Sequence, residues 1–122
     1  MIRKFKPSDY STLSVWYSGH DLKCPPFVLL STTGFISKNA AGFLYLTNSS
    51  LAIIDGYITD INCSAESRWA SLNLITEALI KLAKELGCTV IKADSKFESI
   101  IALGESFGFR ETGSYISIKK DL

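Results

Sequence analysis

Apolar and polar positions divide the 122-residue chain into several short alternating runs and one long helical stretch. Ile53-Ile54-Asp55-Gly56-Tyr57-Ile58-Thr59 is mostly apolar and reads as a strand. Asp60 to Glu66 is too polar and too mixed in period to continue it. From Ser67 to Leu86, Leu72, Ile75, Leu79, Leu82 and Leu86 recur every three or four residues, so the spacing predicts a long amphipathic helix. Ser64 or Ser67 can cap its start, Glu66 suits its positive end and Gly87 its C-terminal cap. A strand running straight into a helix start leaves unpaired backbone N–H groups aimed at one spot, which is a natural place for an anion.

The other elements follow from the same reading. Ile2 to Phe5 alternates apolar and basic residues and suits a first strand. Pro7-Ser8-Asp9 opens a helix carrying Leu13, Trp16 and Tyr17, and Gly19 ends it. His20 to Pro26 is a loop, and Phe27 to Leu30 is a packed loop or a strand. Gly34–Ser37, Gly42–Leu46 and Leu51–Thr59 form an antiparallel meander with turns at Lys38–Gly42 and Thr47–Ser50. Thr89–Asp94 is a strand that returns through the long helix and so pairs in parallel. Phe97–Phe107 is a shorter helix, and Arg110–Lys119 closes the chain as a strand in which Ile116 and Ile118 alternate with polar neighbours. The expected fold class is α/β (α+β): one domain over residues 1–122, with a mixed, mostly antiparallel sheet of about six strands flanked by three helices. Its element order is β-α-β-β-β-α-β-α-β.

Composition narrows the function classes. The chain is 47% hydrophobic with a net charge of +1, so it can bury a core and offers no electrostatic reason for a nucleic-acid partner. No aromatic residues interleave with a basic run. No segment approaches the roughly 18 apolar residues of a membrane span, and nothing behind Met1-Ile2-Arg3-Lys4 resembles a signal peptide. Cys24, Cys63 and Cys88 are widely spaced and fit neither a zinc site nor a disulfide framework, which agrees with a reduced, cytoplasmic setting. His20, the single histidine, reads as a surface residue beside Asp21. Asp55 is the one carboxylate inside the fourth strand, where burial would raise its pKa.

The element order, with Pro7-Ser8-Asp9-Tyr10, Trp16, Gly34-Phe35, Thr47-Asn48-Ser49-Ser50-Leu51-Ala52 and Gly108-Phe109, resembles the GNAT superfamily of N-acetyltransferases across essentially the whole chain. It looks closest to small phage and bacterial members. The resemblance implies acetyl-CoA as cosubstrate. Its diphosphate would lie at the start of the central helix, on a Gln/Arg-x-x-Gly-x-Gly/Ala loop. Here that loop is reduced: Ser67-Arg68-Trp69-Ala70-Ser71-Leu72 has Ala70 and Leu72 at the glycine positions, and the register led by Arg68 has Ser71 and Asn73 there.

Arg68, Trp69, Ala70 and Ser71 are accordingly the expected diphosphate residues, and Tyr57, Ile58 and Thr59 the strand end against which pantetheine would pair. The resemblance also implies a general base, for which Asp55 stands on the right strand, and a tyrosine acid in the last helix. The matching position is Gly104, which leaves Tyr115 on the final strand as the candidate acid. Two functions follow. One is an acetyl-CoA-dependent N-acetyltransferase acting on an unidentified small-molecule or protein amine. The other is a catalytically inactive phage accessory or virion protein of the same fold that works through protein contacts. A homodimer through the last strands is compatible with either.

Overall fold

The computed structural model describes residues 1–122. Five strands form one sheet in sequence order: β1 (Ile2–Lys4), β2 (Gly34–Ser37), β3 (Ala40–Leu46), β4 (Leu51–Thr59) and β5 (Val90–Lys92). The first four pair antiparallel, and β5 pairs parallel to β4. Three helices complete the chain: α1 (Tyr10–Gly19), α2 (Ala65–Glu85) and α3 (Glu98–Ser106). The class is therefore the expected mixed, mostly antiparallel α/β arrangement, with five strands rather than about six.

Helices cover both sides of the sheet, which explains why Ala40 to Leu44 of β3 is buried without alternation. On one face, Leu72, Ile75, Leu79 and Ala83 of α2 and Leu103 of α3 pack on Leu44, Ala52 and Ile54. On the other, Leu13, Trp16 and Tyr17 of α1 pack on Ile36, Ala41, Phe43 and Ile58. The apolar stripe read from the sequence of α2 is the stripe that packs on the sheet, with Leu82 half-buried and Leu86 exposed beyond the last turn.

Local chemistry sets the ends of the elements. Ser64 caps α2 by accepting the Ser67 backbone N–H, so the helix starts at Ala65, two residues before the expected Ser67. Asp9 accepts the Lys6 N–H at 2.8 Å and both terminal nitrogens of Arg3, at 2.8 and 2.6 Å. This ties β1 to a 3₁₀ turn at Pro7–Asp9 that leads into α1. Phe27–Leu29 is also a 3₁₀ turn, which resolves the loop-or-strand alternative in favour of neither.

The expected strand at Arg110–Lys119 does not form. Residues 110–122 lack regular structure and are exposed, with Ile116 at 91% and Ile118 at 90%. Alternation is present there, but the segment pairs with no strand, and a strand needs a ladder as well as a pattern.

Leu79→Ala is expected to cost about 2–5 kcal/mol in urea unfolding, because the side chain is fully buried. Ile118→Ser should stay within about 0.5 kcal/mol, as exposed positions do. A second expectation concerns acid stability. The Arg3 hydrogen bond holds the Asp9 carboxyl below its ordinary 3.8. A depressed folded value means the stabilisation is present above that pH and is lost as pH falls through the lowered value. Arg3→Ala should therefore flatten the loss of stability on acidification below pH 3.8, measured by thermal melts across a pH series.

Candidate functional site

The sheet forks at one place. β4 pairs with β5 only through Leu51–Val90, Ala52–Ile91 and Ile53–Lys92. Beyond Ile53 the two strands part, and the edge of β4 from Ile54 to Thr59 has no strand beside it on that side. An unpaired strand edge presents backbone N–H and C=O groups at the spacing of a ladder.

A bulge in β4 shapes the fork. Ala41 faces Ile58 and Phe43 faces Asp55, so Gly42 alone opposes both Gly56 and Tyr57. Gly56 carries the extra residue at φ +75°, a left-handed conformation that disfavours any side chain. The insertion reverses the parity of the strand. Ala52 and Ile54 point to the α2 face, but beyond the bulge it is Tyr57 that does so, while Ile58 joins the α1 face. The Tyr57 ring lies over Gly42, where an added Cβ would come within 2.8 Å of it.

Tyr57 closes the fork on the α2 side. Its hydroxyl is 2.6 Å from Thr76 Oγ1, and Thr76 Oγ1 donates to the Leu72 carbonyl at 2.7 Å. The threonine proton is thus committed, so the phenol donates to the threonine. Burial pushes the Tyr57 phenol up to about 12, against the opposing effect of the Thr76 hydrogen bond. The remaining gap is a cavity of about 30 Å³, lined by Ile54, Tyr57 and Thr76 with Ala93 and with Ile100, Leu103, Gly104 and Phe109 from the α3 region.

The expected site residues fall into separate groups. Asp55 pairs with Phe43 and therefore stands on the α1 face, opposite Tyr57, beside Tyr17 and Tyr45. It is exposed rather than buried, and its Oδ1 accepts the Gly56 N–H at 2.7 Å. Tyr17 is raised to about 12, first by burial and less by the charge of Asp55. Ile58 is buried against α1. The Thr59 carbonyl accepts from His20 Nε2 at 2.8 Å, so His20 is a half-buried clamp on the end of β4 rather than a surface residue. Tyr115 is not on a strand. It is 72% exposed, with the Lys92 ammonium 5.6 Å from its ring centre and no hydrogen bond to Asp55.

At the start of α2 the backbone differs from the expectation. The Arg68 N–H is bonded to the Ser64 carbonyl at 3.0 Å, and Trp69, Ala70 and Ser71 lie in the second turn, where amides serve the helix itself. The amides left over are those of Ala65 and Glu66. Arg68 nevertheless stands ready by its side chain. The chain's two ion pairs are Arg3–Asp9 and Lys119–Asp121, which leaves the half-buried Arg68 guanidinium without an acidic partner. Trp69 is 40% exposed and Leu72 is buried in the core, so neither fills the fork.

Sequence reasoning missed three features: the bulge, the Tyr57–Thr76 pair and the contacts of Asn39. A glycine inside an apolar strand was the available sign of the bulge. No group of three or more His, Cys, Asp or Glu residues could hold a metal ion, and no helix is long and apolar enough to cross a membrane.

No protein-family sequence model matches the chain, and no curated protein matches it by sequence. Solved structures do. An acetyltransferase of Trypanosoma brucei superposes with a TM-score of 0.67 at 18% identity, covering 98% of this chain and 99% of that one. Glucosamine-6-phosphate N-acetyltransferase of Arabidopsis thaliana gives 0.69 at 14% identity, covering 99% and 98%. A transcriptional regulator of Bacillus halodurans gives 0.68 at 14% identity, covering 98% and 99%. Over essentially its whole length, the chain has the fold of the GNAT acetyltransferases.

Proposed function

We propose that this protein is an acyl-CoA-dependent N-acyltransferase, with acetyl-CoA as donor and an amine as acceptor. The observation that carries this reading is the fork: a free edge of β4 from Ile54 to Thr59, kept open by the bulge at Gly56 and lying next to the start of α2. A pantetheine arm has amide N–H and C=O groups that can pair with such an edge as a strand would. Arg68 supplies the cation for the diphosphate, helped by the unspent amides of Ala65 and Glu66 at the positive end of α2. The cavity beside Gly104 receives the acyl end.

Asp55 is the residue assigned to the proton. It lies within the free edge and is exposed, so an incoming amine can reach it. The amine nitrogen attacks the thioester carbonyl carbon, the carbon–sulfur bond breaks and the nitrogen releases a proton to the Asp55 carboxylate. The departing thiolate takes up a proton, so atoms and charge balance as amide plus thiol. Backbone N–H groups of the unpaired edge are the donors available to the carbonyl oxygen as it becomes negative.

A second reading is favoured by one observation. The amides of Arg68 to Ser71 are used inside α2, and neither glycine of the family's phosphate loop is present. The chain would then be a binding protein with the same fold and no turnover.

Thermal melts with acetyl-CoA separate the two. Ligand at 100 times its dissociation constant should stabilise by about 2.7 kcal/mol, a shift on the order of 10 °C for a domain of this size. No shift at millimolar acetyl-CoA rejects the enzyme reading. Arg68→Ala should weaken acetyl-CoA binding by about 1.5–3 kcal/mol, the range for a charged hydrogen bond. Asp55→Asn should leave that affinity in place and lower turnover by about 10²–10⁴, read as amide formation on a panel of amines.

A further inference from the structure

Asn39 is completely buried, and every polar atom it carries is used. It sits in the short β2–β3 turn, far in sequence from α2. Its side-chain Nδ2 donates to Ser67 Oγ at 2.7 Å, and its Oδ1 accepts from the hydroxyls of Ser71 and Ser37. Its backbone carbonyl accepts the Asp60 N–H at 2.8 Å, in the turn that connects β4 to α2. The orientation of the carboxamide follows from Ser37. That hydroxyl oxygen receives two backbone N–H groups, from Asn39 at 3.2 Å and Ala40 at 3.0 Å, so its own proton goes to an acceptor, and Oδ1 at 3.0 Å is nearer than the Ala40 carbonyl at 3.4 Å.

We propose that Asn39 is a positioning residue for the anion-holding end of α2. The proposal rests on the reading of the fork as a coenzyme site. Ser67 and Ser71 are four residues apart and share one face of the helix, and Arg68 lies between them. Gripping both serines fixes the rotation of the first two turns about the helix axis, and the Asp60 bond fixes the end of β4 from which the helix departs. Those two constraints decide where the Arg68 guanidinium stands relative to the free edge of β4. An enzyme with a glycine loop would define this place through its backbone. Here a buried carboxamide does so through side chains.

A polar hub of this kind holds its geometry because the alternatives leave buried groups unpaired. Removing Asn39 orphans the Asp60-side turn least, since that bond uses the backbone, and frees the two serine hydroxyls most. The expected consequence is a helix start that rotates or frays without unfolding the core.

The test uses the full chain and compares acetyl-CoA with S-acetylpantetheine, which lacks the diphosphate. Asn39→Ala should raise KM and Kd for acetyl-CoA about tenfold, with kcat at saturation and the use of S-acetylpantetheine unchanged. Ser67→Ala and Ser71→Ala, milder changes because each removes one hydroxyl from a half-buried helix face, should each move Kd in the same direction and serve if Asn39→Ala folds poorly. In an Arg68→Ala background, Asn39→Ala should add little to the loss, because both act on one contact. A lowered melting temperature with unchanged Kd, or a loss that adds fully to that of Arg68→Ala, overturns the positioning role and leaves the coenzyme reading intact. Absence of acetyl-CoA binding by the unmodified protein overturns both.

Discussion

One left-handed residue in β4 determines most of what lies around it. Gly56 inserts a residue opposite Gly42, and the parity of the strand reverses there. Upstream, Ala52 and Ile54 feed the core beneath α2. Downstream, Tyr57 takes over that face and Ile58 is sent to the core beneath α1. Without the bulge Tyr57 would turn toward α1 and Ile58 toward α2. A bulge of this kind also increases the local twist at the end of β4. Fork, cavity and two-sided core are thus linked through a single backbone torsion.

The fork also separates chemistry by face. Tyr57 and Thr76 close the α2 side with a hydroxyl chain that ends on a helix carbonyl, so no buried polar side-chain atom in the cavity wall is left unsatisfied. Asp55 stands on the opposite side, in solvent, beside two tyrosines whose phenols are raised chiefly by their own burial. An acceptor amine approaching from the α1 side and a donor lying along the strand edge would meet at the backbone between these faces. That arrangement suits acyl transfer better than it suits a sealed structural core.

Where a glycine-rich loop would bring backbone amides to a phosphate, this chain has a capped helix whose second turn is already hydrogen-bonded. Ser64 satisfies the Ser67 N–H, and α2 consumes the amides from Arg68 onward. The side chain of Arg68 and the orientation of the helix carrying it therefore matter more than the missing glycines. Orientation depends in turn on Asn39, a residue with no charge and no exposure.

Elements whose signals are local were legible along the chain. The stripe from Leu72 to Leu82 marked α2, the alternating meander marked β2 to β4, and Gly19 and Gly87 marked helix ends, because periodicity and capping depend only on neighbours in the chain. Everything that depends on partners distant in the chain came from the packed fold. Whether Asp55 on a mostly apolar strand is buried could not be read locally; the fold leaves it exposed on the α1 face beside Tyr17 and Tyr45. Arg110–Lys119 read as a strand, but a ladder requires a partner that the pattern cannot supply. Tyr57 and Ile58 read together as one strand end for pantetheine, yet the bulge at Gly56 changes which face each later residue sees, so the Tyr57 ring closes the α2 side of the fork while Ile58 is buried against α1. The Asn39 contacts join positions 28 and 32 residues apart, and a polar residue in a turn gives no local sign that the fold will close over it.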